Sequence, residues 1–232
     1  DQVVKDLLEA ETIMADDYTR TDVSDVTAIA SKQAIQALLS RVYLYMGNWQ
    51  KSADYATKVI NSGKYNMFTA DNYASQWTKN TAQEGGEIIF EVFASKKNSY
   101  WGSWDVISWL TTPEGYADVA STADLRNLYE TEDVRGDLFI SHADAPDHFW
   151  TLKYAGKAGT NPLESNTVVL RLSEMYLNRA EAIYRGAVIP GVTADADLLK
   201  ITSNRGATPV SASATTIFKE RQKELAFEGH II

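Results

Sequence analysis

SKQAIQALLSRVYLYMGNWQKSADYATKVINS, residues 31–62, is the stretch whose periodicity decides the fold. Ile35, Leu38, Leu39, Val42 and Met46 fall at i, i+3, i+4, i+7 and i+11, which predicts an apolar stripe along one helix. Ser31 stands where an N-cap hydroxyl would accept from a free amide of the first turn. Gly47-Asn48 breaks the pattern. A second helical pattern starts at Trp49, with Ala53, Ala56, Val59 and Ile60 on its inward face. It stops at Asn61-Ser62, where Gly63 suits the left-handed conformation that ends many helices. Two helices joined by so short a break must fold back antiparallel.

The residue types here fit a tetratricopeptide repeat. Leu39, Ser40 and Tyr43 precede the turn glycine, and Trp49 and Ser52 follow it, at the repeat's spacings. Size matching is the physical content: small residues let the helices approach, and aromatics fill the groove between them. A generic helical hairpin is the alternative. No second copy follows one repeat length on; residues 168–186 read as helical but match the pattern poorly.

Outward from the hairpin the chain reads as mostly α. Residues 1–16 predict a helix, with Val4, Leu7, Leu8, Glu11 and Ala15 on one face and Val3 beside them. Residues 87–93 predict a strand from their β-branched and aromatic content, after a Gly85-Gly86 turn. Residues 104–110 predict a short helix. Residues 121–130 predict another, capped by Ser121 or Thr122, with Leu125, Leu128 and Tyr129 inward. Residues 138–141 and 148–154 are expected to pair around Ala145-Pro146-Asp147. In residues 167–185, Leu170, Ser173, Leu177, Ala180 and Tyr184 share a helical face. Residues 194–203 and 215–229 complete the helices, the last with Phe218, Leu225 and Phe227 as apolar contacts and Gly229 as cap. The expected organisation is one domain: a helical repeat part (1–63), a loop and short β-hairpin insertion (64–165), and C-terminal helices (166–232).

Composition narrows the function. Hydrophobic residues make up 44% and charged residues 23% of 232, ordinary for a globular chain. A net charge of −9 with no basic stripe argues against nucleic acid as a partner. The absence of Cys rules out disulfides, thiol catalysis and cysteine metal sites in this chain. No apolar run approaches the ~20 residues of a membrane helix, and no signal-peptide pattern opens the sequence. Both ends read as interior sequence, so the chain is expected to be a fragment of a longer one.

Six segments, in order, carry a family resemblance: AIQALLSRVYLYMGNWQKSADYATKVINSG (34–63), EIIFEV (87–92), DLRNLYETEDVR (124–135), LRLSEMYLNRAEA (170–182), NRGA (204–207) and ERQKELAFEGH (220–230). The chain resembles the C-terminal half of a SusD/RagB-family protein. It departs from that pattern at Ile231-Ile232, where the family has Arg and an aromatic, and around residues 194–209, where one Arg is lacking. The family's N-terminal portion, with its lipid-modified Cys and other repeat units, has no counterpart here. The resemblance implies a SusD-like helical fold and a lipoprotein on the outer face of a Bacteroidetes outer membrane. It implies non-catalytic binding of a glycan ligand and its delivery to a SusC-like TonB-dependent transporter. Membrane contact would run only through the lipid anchor. A tetratricopeptide-type interaction scaffold without carbohydrate binding is the alternative.

The residues themselves offer one binding candidate. Tyr100, Trp101, Trp104, Trp109 and Tyr116 crowd into residues 100–116, against 11% aromatics across the chain. A flat exposed ring stacks on the C–H face of a sugar, and neighbours such as Asn98 and Asp105 hydrogen-bond its hydroxyls. Burial of these rings as anchors of a long insertion is the competing reading. This region is where the family varies and where its glycan contacts often lie. His142, Asp144, Asp147 and His148 are the one metal-like group, but they read as a solvated acidic turn. A calcium site there would need more oxygens. Glu220, Glu224 and Glu228 recur at i, i+4 and i+8. Paired carboxylates could serve a glycosidase, yet Arg221 and Lys223 among them make a charged helix face. Arg171, Glu174, Arg179 and Glu181 read as helix-face or inter-helix pairs. No nucleophile elbow, phosphate loop or zinc-protease motif is present, so no catalytic residue, metal or cofactor is assigned.

Overall fold

Ser31 caps α2 (Lys32–Tyr45), its hydroxyl accepting from the Ala34 amide at 3.1 Å. Gly47 turns the chain at φ +70°, a conformation that costs glycine little. Asn48 then caps α3 (Trp49–Asn61) through the Lys51 amide at 3.3 Å. The two helices touch at Ser40 and Ser52, both fully buried. Each hydroxyl donates to the other residue's carbonyl, at 3.0 and 2.9 Å. These bonds need close backbones, which is why small side chains stand there. Tyr43 stacks on Tyr55 in the groove, with centroids 5.7 Å apart and planes at 16°. The sequence-derived hairpin is present with one exception: Met46 ends α2 and is 52% exposed instead of extending the apolar stripe.

The computed structural model describes residues 2–18, 26–78, 86–94, 107–156 and 164–230. α1 (Gln2–Ile13) leans on the hairpin through Val4, Leu7 and Leu8. Its Glu11 accepts from Gln36, Tyr55 and Lys58. Burial pushes this carboxyl up, but these bonds outweigh it and hold the group below its ordinary range.

The hairpin packs against α6 (Leu172–Tyr184), the central helix, which also carries α7 (Ala194–Asn204) and α8 (Ala214–Leu225). Leu172, Leu177, Ala180, Leu198, Ile201, Ile217 and Leu225 form the core of that second layer. Asn178 ties the layers together by donating to Ser40 at 3.3 Å. The fold is mostly α, as expected, with small sheets at its edge.

Further sequence expectations need correction. Residues 167–171 are strand β5 (Thr167–Arg171), not the first turns of a helix, and they pair antiparallel with β1 (Ile88–Val92). Thr167, Val168 and Val169 favour that state, but their partner lies far away in sequence. The helix at 121–130 shrinks to α5 (Ala123–Arg126), because Ser121–Thr122 (β2) pairs with β4 (Ala145–Thr151). The hairpin of β3 (Phe139–His142) with β4 turns at Ala143-Asp144, earlier than expected. Pro146 lies within β4 beside a register irregularity, where the ladder is already interrupted.

α8 starts with a capping box, Ser213 and Thr216, but ends at Leu225 instead of running to Gly229. Phe227 takes φ +65°, and side chains from elsewhere bind the freed carbonyls. Lys153 donates to the carbonyls of Glu224 and Ala226, each at 3.0 Å, and Tyr154 to that of Phe227 at 2.9 Å. Phe218, expected inward, is 47% exposed.

Candidate functional site

Of the aromatic candidates, Asn98, Tyr100, Trp101, Trp104 and Asp105 lie outside the described residues. Trp109 and Tyr116 lie within them, and the chain brings them together. Trp109 sits in the short helix α4 (Ile107–Leu110), after which the backbone turns back. The Tyr116 amide donates to the Trp109 carbonyl at 2.8 Å, and the Val119 amide to that of Leu110 at 2.9 Å. The two rings meet edge to face, 6.4 Å apart at 80°. Trp109 is half-buried and braces the pair, while Tyr116 is 49% exposed. Gly115 makes the turn fit: a Cβ there would stand 2.1 Å from the Trp109 carbonyl oxygen.

This segment is fixed to the three-stranded sheet. The Thr151 amide donates to the Thr111 carbonyl at 3.3 Å. The buried Trp150 indole donates to the Ala117 carbonyl at 3.0 Å, directly after Tyr116. Sequence reading placed Trp150 in a strand and missed its anchoring role. Strand alternation does not reveal which loop a buried indole will hold. His148, exposed, stacks on Trp150 at 6.3 Å. His142 Nδ1 is 3.5 Å from Asp144, and both are largely exposed. Among the described residues no group of three or more His, Cys, Asp or Glu could hold a metal ion.

Glu220, Glu224 and Glu228 do not form a solvated helix face. Glu220 and Glu224 are buried in α8, and Glu228, also buried, lies beyond its end. Arg171 reaches Glu87 at 2.8 Å, Glu228 at 2.7 Å, and Glu224. Arg205 reaches Glu87 at 2.9 Å and Glu224 at 2.7 Å. Arg135 reaches Asp133 at 2.7 Å, Glu220 at 3.1 Å and Glu224 at 3.0 Å. Lys153 meets Glu228, and Lys223 meets Glu220, each at 2.6 Å. The cluster is thus charge-balanced. Aromatic rings close it: the Arg205 guanidinium lies 4.4 Å from the Tyr73 ring, and Lys153 4.8 Å from that of Trp77.

The environment fixes the protonation of these groups. Burial alone would raise the Glu224 carboxyl, but Arg205, Arg171 and Arg135 override it and hold the group well below the carboxylate range. Glu228 is likewise raised by burial and then pulled below its ordinary value by Arg171 and Lys153. Burial lowers Lys153, and Glu228 offsets this only in part. A general acid needs a carboxyl whose pKa is raised toward the working pH. These carboxylates are arranged the opposite way, as structural counter-ions.

The polar pairs expected on α6 are between elements. Glu174 receives Arg41 of α2 at 2.6 Å, Arg179 binds Asp197 of α7 at 2.7 Å, and Glu181 receives Arg221 of α8 at 3.2 Å. The ion cluster explains the sequence motifs. Glu87, the Asp133-Val134-Arg135 step, Arg171, Arg205 and the Glu220–Glu224–Glu228 series come from five of the quoted segments, and all converge on it.

Residues 146–231 match the model of the SusD family. A SusD superfamily protein from Bacteroides thetaiotaomicron is 30% identical, covering 98% of this chain and 52% of its own, with a TM-score of 0.82. Another from Bacteroides vulgatus is 29% identical over 98% of this chain and 52% of its own, with a TM-score of 0.80. A solved structure described as a laminarin-binding SusD-like protein is 26% identical over 99% of this chain and 58% of its own, with a TM-score of 0.75. No curated protein sequence matches. The chain is similar in fold to SusD superfamily proteins over nearly its whole length, and its residues 146–231 match the SusD family. It spans about half the length of these solved relatives.

Proposed function

We propose that this protein binds an oligo- or polysaccharide at the bacterial cell surface without transforming it, and delivers it to a SusC-type TonB-dependent outer-membrane transporter. The observation that carries the reading is the exposed Tyr116 ring, braced edge-on by Trp109 and tied to a sheet. A rigid half-exposed ring is what a pyranose face stacks on. The laminarin-binding description of one relative supports the ligand class. The charge-paired state of Glu220, Glu224 and Glu228 supports binding over hydrolysis. Among the described residues no helix is long and apolar enough to cross a membrane. Attachment to the surface would run through a lipid anchor of the kind the resemblance implies.

Isothermal titration against a glycan panel that includes laminarin tests this. At least one glycan is expected to bind saturably, and Tyr116→Ala is expected to weaken it by about tenfold. Tyr116 is half-exposed, so the variant should fold as the parent does. Absence of heat with every glycan, or an affinity unchanged in Tyr116→Ala, would contradict the proposal.

A further inference from the structure

We propose that Ala117 is a positioning residue of the glycan surface: its backbone is held in a conformation that alanine resists, and the Trp150 indole that holds it there fixes the aim of the Tyr116 ring. This role rests on the reading above, in which Tyr116 meets a glycan. Ala117 takes φ +56°. In this left-handed region the alanine Cβ crowds the following carbonyl oxygen, so only glycine adopts it freely. Among the described residues every other positive φ, except that of Phe227, falls on a glycine. Gly115, the glycine of this same turn, does not take the strain: its φ lies outside the left-handed region, and it serves the close approach to the Trp109 carbonyl. A backbone in so disfavoured a region persists only where its surroundings over-determine it, and such residues gather at ligand sites.

The surroundings of Ala117 supply that constraint. Before it, the Tyr116 amide donates to the Trp109 carbonyl at 2.8 Å; after it, the Val119 amide donates to the Leu110 carbonyl at 2.9 Å. Its own carbonyl accepts from Trp150 Nε1 at 3.0 Å, and Trp150 is only 6% exposed. An indole can only donate. Deprived of the Ala117 carbonyl it would be a buried donor without an acceptor, which is unfavourable, so its need offsets the strain. Phe227, the other non-glycine residue in this region, is held in the same way, its carbonyl accepting from the Tyr154 hydroxyl at 2.9 Å. The Tyr116 ring leaves the chain one residue before the strained one. Relaxation of Ala117 to a negative φ would re-aim the peptide that joins them, and with it the edge-on contact of Tyr116 with Trp109. Ala117 is itself half-buried and acts through Tyr116.

Variants of the intact chain, titrated with laminarin, cellohexaose and xylohexaose, are the test. Trp150→Phe keeps an aromatic ring and removes the N–H. It is expected to weaken the tightest of these glycans by about tenfold. Ala117→Gly in the same background removes the resistance to the left-handed conformation, and should restore affinity to within about twofold of the parent. Ala117→Val puts a β-branched side chain where φ is positive, and should weaken binding by about tenfold with Trp150 intact. Ala117→Gly alone should raise Tm by about 2–4 °C. The rescue separates positioning from packing, because removing a methyl group at residue 117 cannot refill a space left at Trp150. Affinity unchanged in Trp150→Phe and Ala117→Val, a Trp150→Phe loss that Ala117→Gly does not repair, or a Tm lowered by Ala117→Gly would overturn the proposal. If Trp150→Phe does not fold, Ala117→Val decides it. A parent that binds while both weakening variants match it loses only this role of Ala117; a parent that binds none of the glycans takes the Tyr116 reading down as well.

Discussion

Glu224→Gln is expected to destabilise the protein by about 3–5 kcal/mol, the usual cost of removing one partner from a buried ion pair. The substitution keeps shape and volume and removes one negative charge. Arg135, Arg171 and Arg205 all converge on this carboxylate and are themselves buried. Without it, the cluster holds an uncompensated cation that no water reaches. That loss would take a large share of the ~5–15 kcal/mol by which a domain is ordinarily stable. Urea denaturation, extrapolated to water, reads it directly. The Lys32–Asp16 pair, at 2.8 Å with its carboxylate 81% exposed, is the control, and Asp16→Asn should leave the midpoint where it is. A loss on Glu224→Gln below about 1 kcal/mol would mean that the cluster is hydrated and the pairing dispensable.

Gly115→Ala is expected to cost glycan affinity about tenfold or more, equivalent to ~1.4 kcal/mol or more. The added Cβ would stand 2.1 Å from the Trp109 carbonyl oxygen, and backbone cannot yield as a flexible side chain does. The turn must open, which separates the Tyr116 amide from that same carbonyl and lets the two rings move apart. Overpacking of this kind costs stability by ~1–3 kcal/mol, so the variant should remain folded at ambient temperature. A Gly115→Ala protein that binds glycan as the parent does would show that the Trp109–Tyr116 geometry is not used.

The hairpin was legible in sequence because its determinants are local. Ser31, Gly47 and Asn48 act on residues within one turn of themselves, and Ser40 and Ser52 meet through a two-residue break. What escaped was whatever depended on distant partners. Thr167–Arg171 continues the helical spacing of Ser173 and Leu177, yet it is strand because β1 lies beside it. The spacing of Glu220, Glu224 and Glu228 identified a shared face for the first two and a structural role for the series. It could not reveal that the face points inward, since Arg135 and Arg171 come from 53 to 89 residues away along the chain. Phe218 and Tyr184 were expected inward, and both are about half-exposed. Of the aromatic site, the sequence offered the cluster of rings but not its brace. Only the fold shows Trp150 holding the Ala117 carbonyl behind Tyr116.

The most direct test of the glycan surface is a crystal structure of the chain with the tightest ligand from the titration panel. The expected result is a sugar ring stacked on Tyr116, its C–H face within about 4 Å of the aromatic ring. A well-ordered sugar bound elsewhere, with Tyr116 and Trp109 untouched, would contradict it.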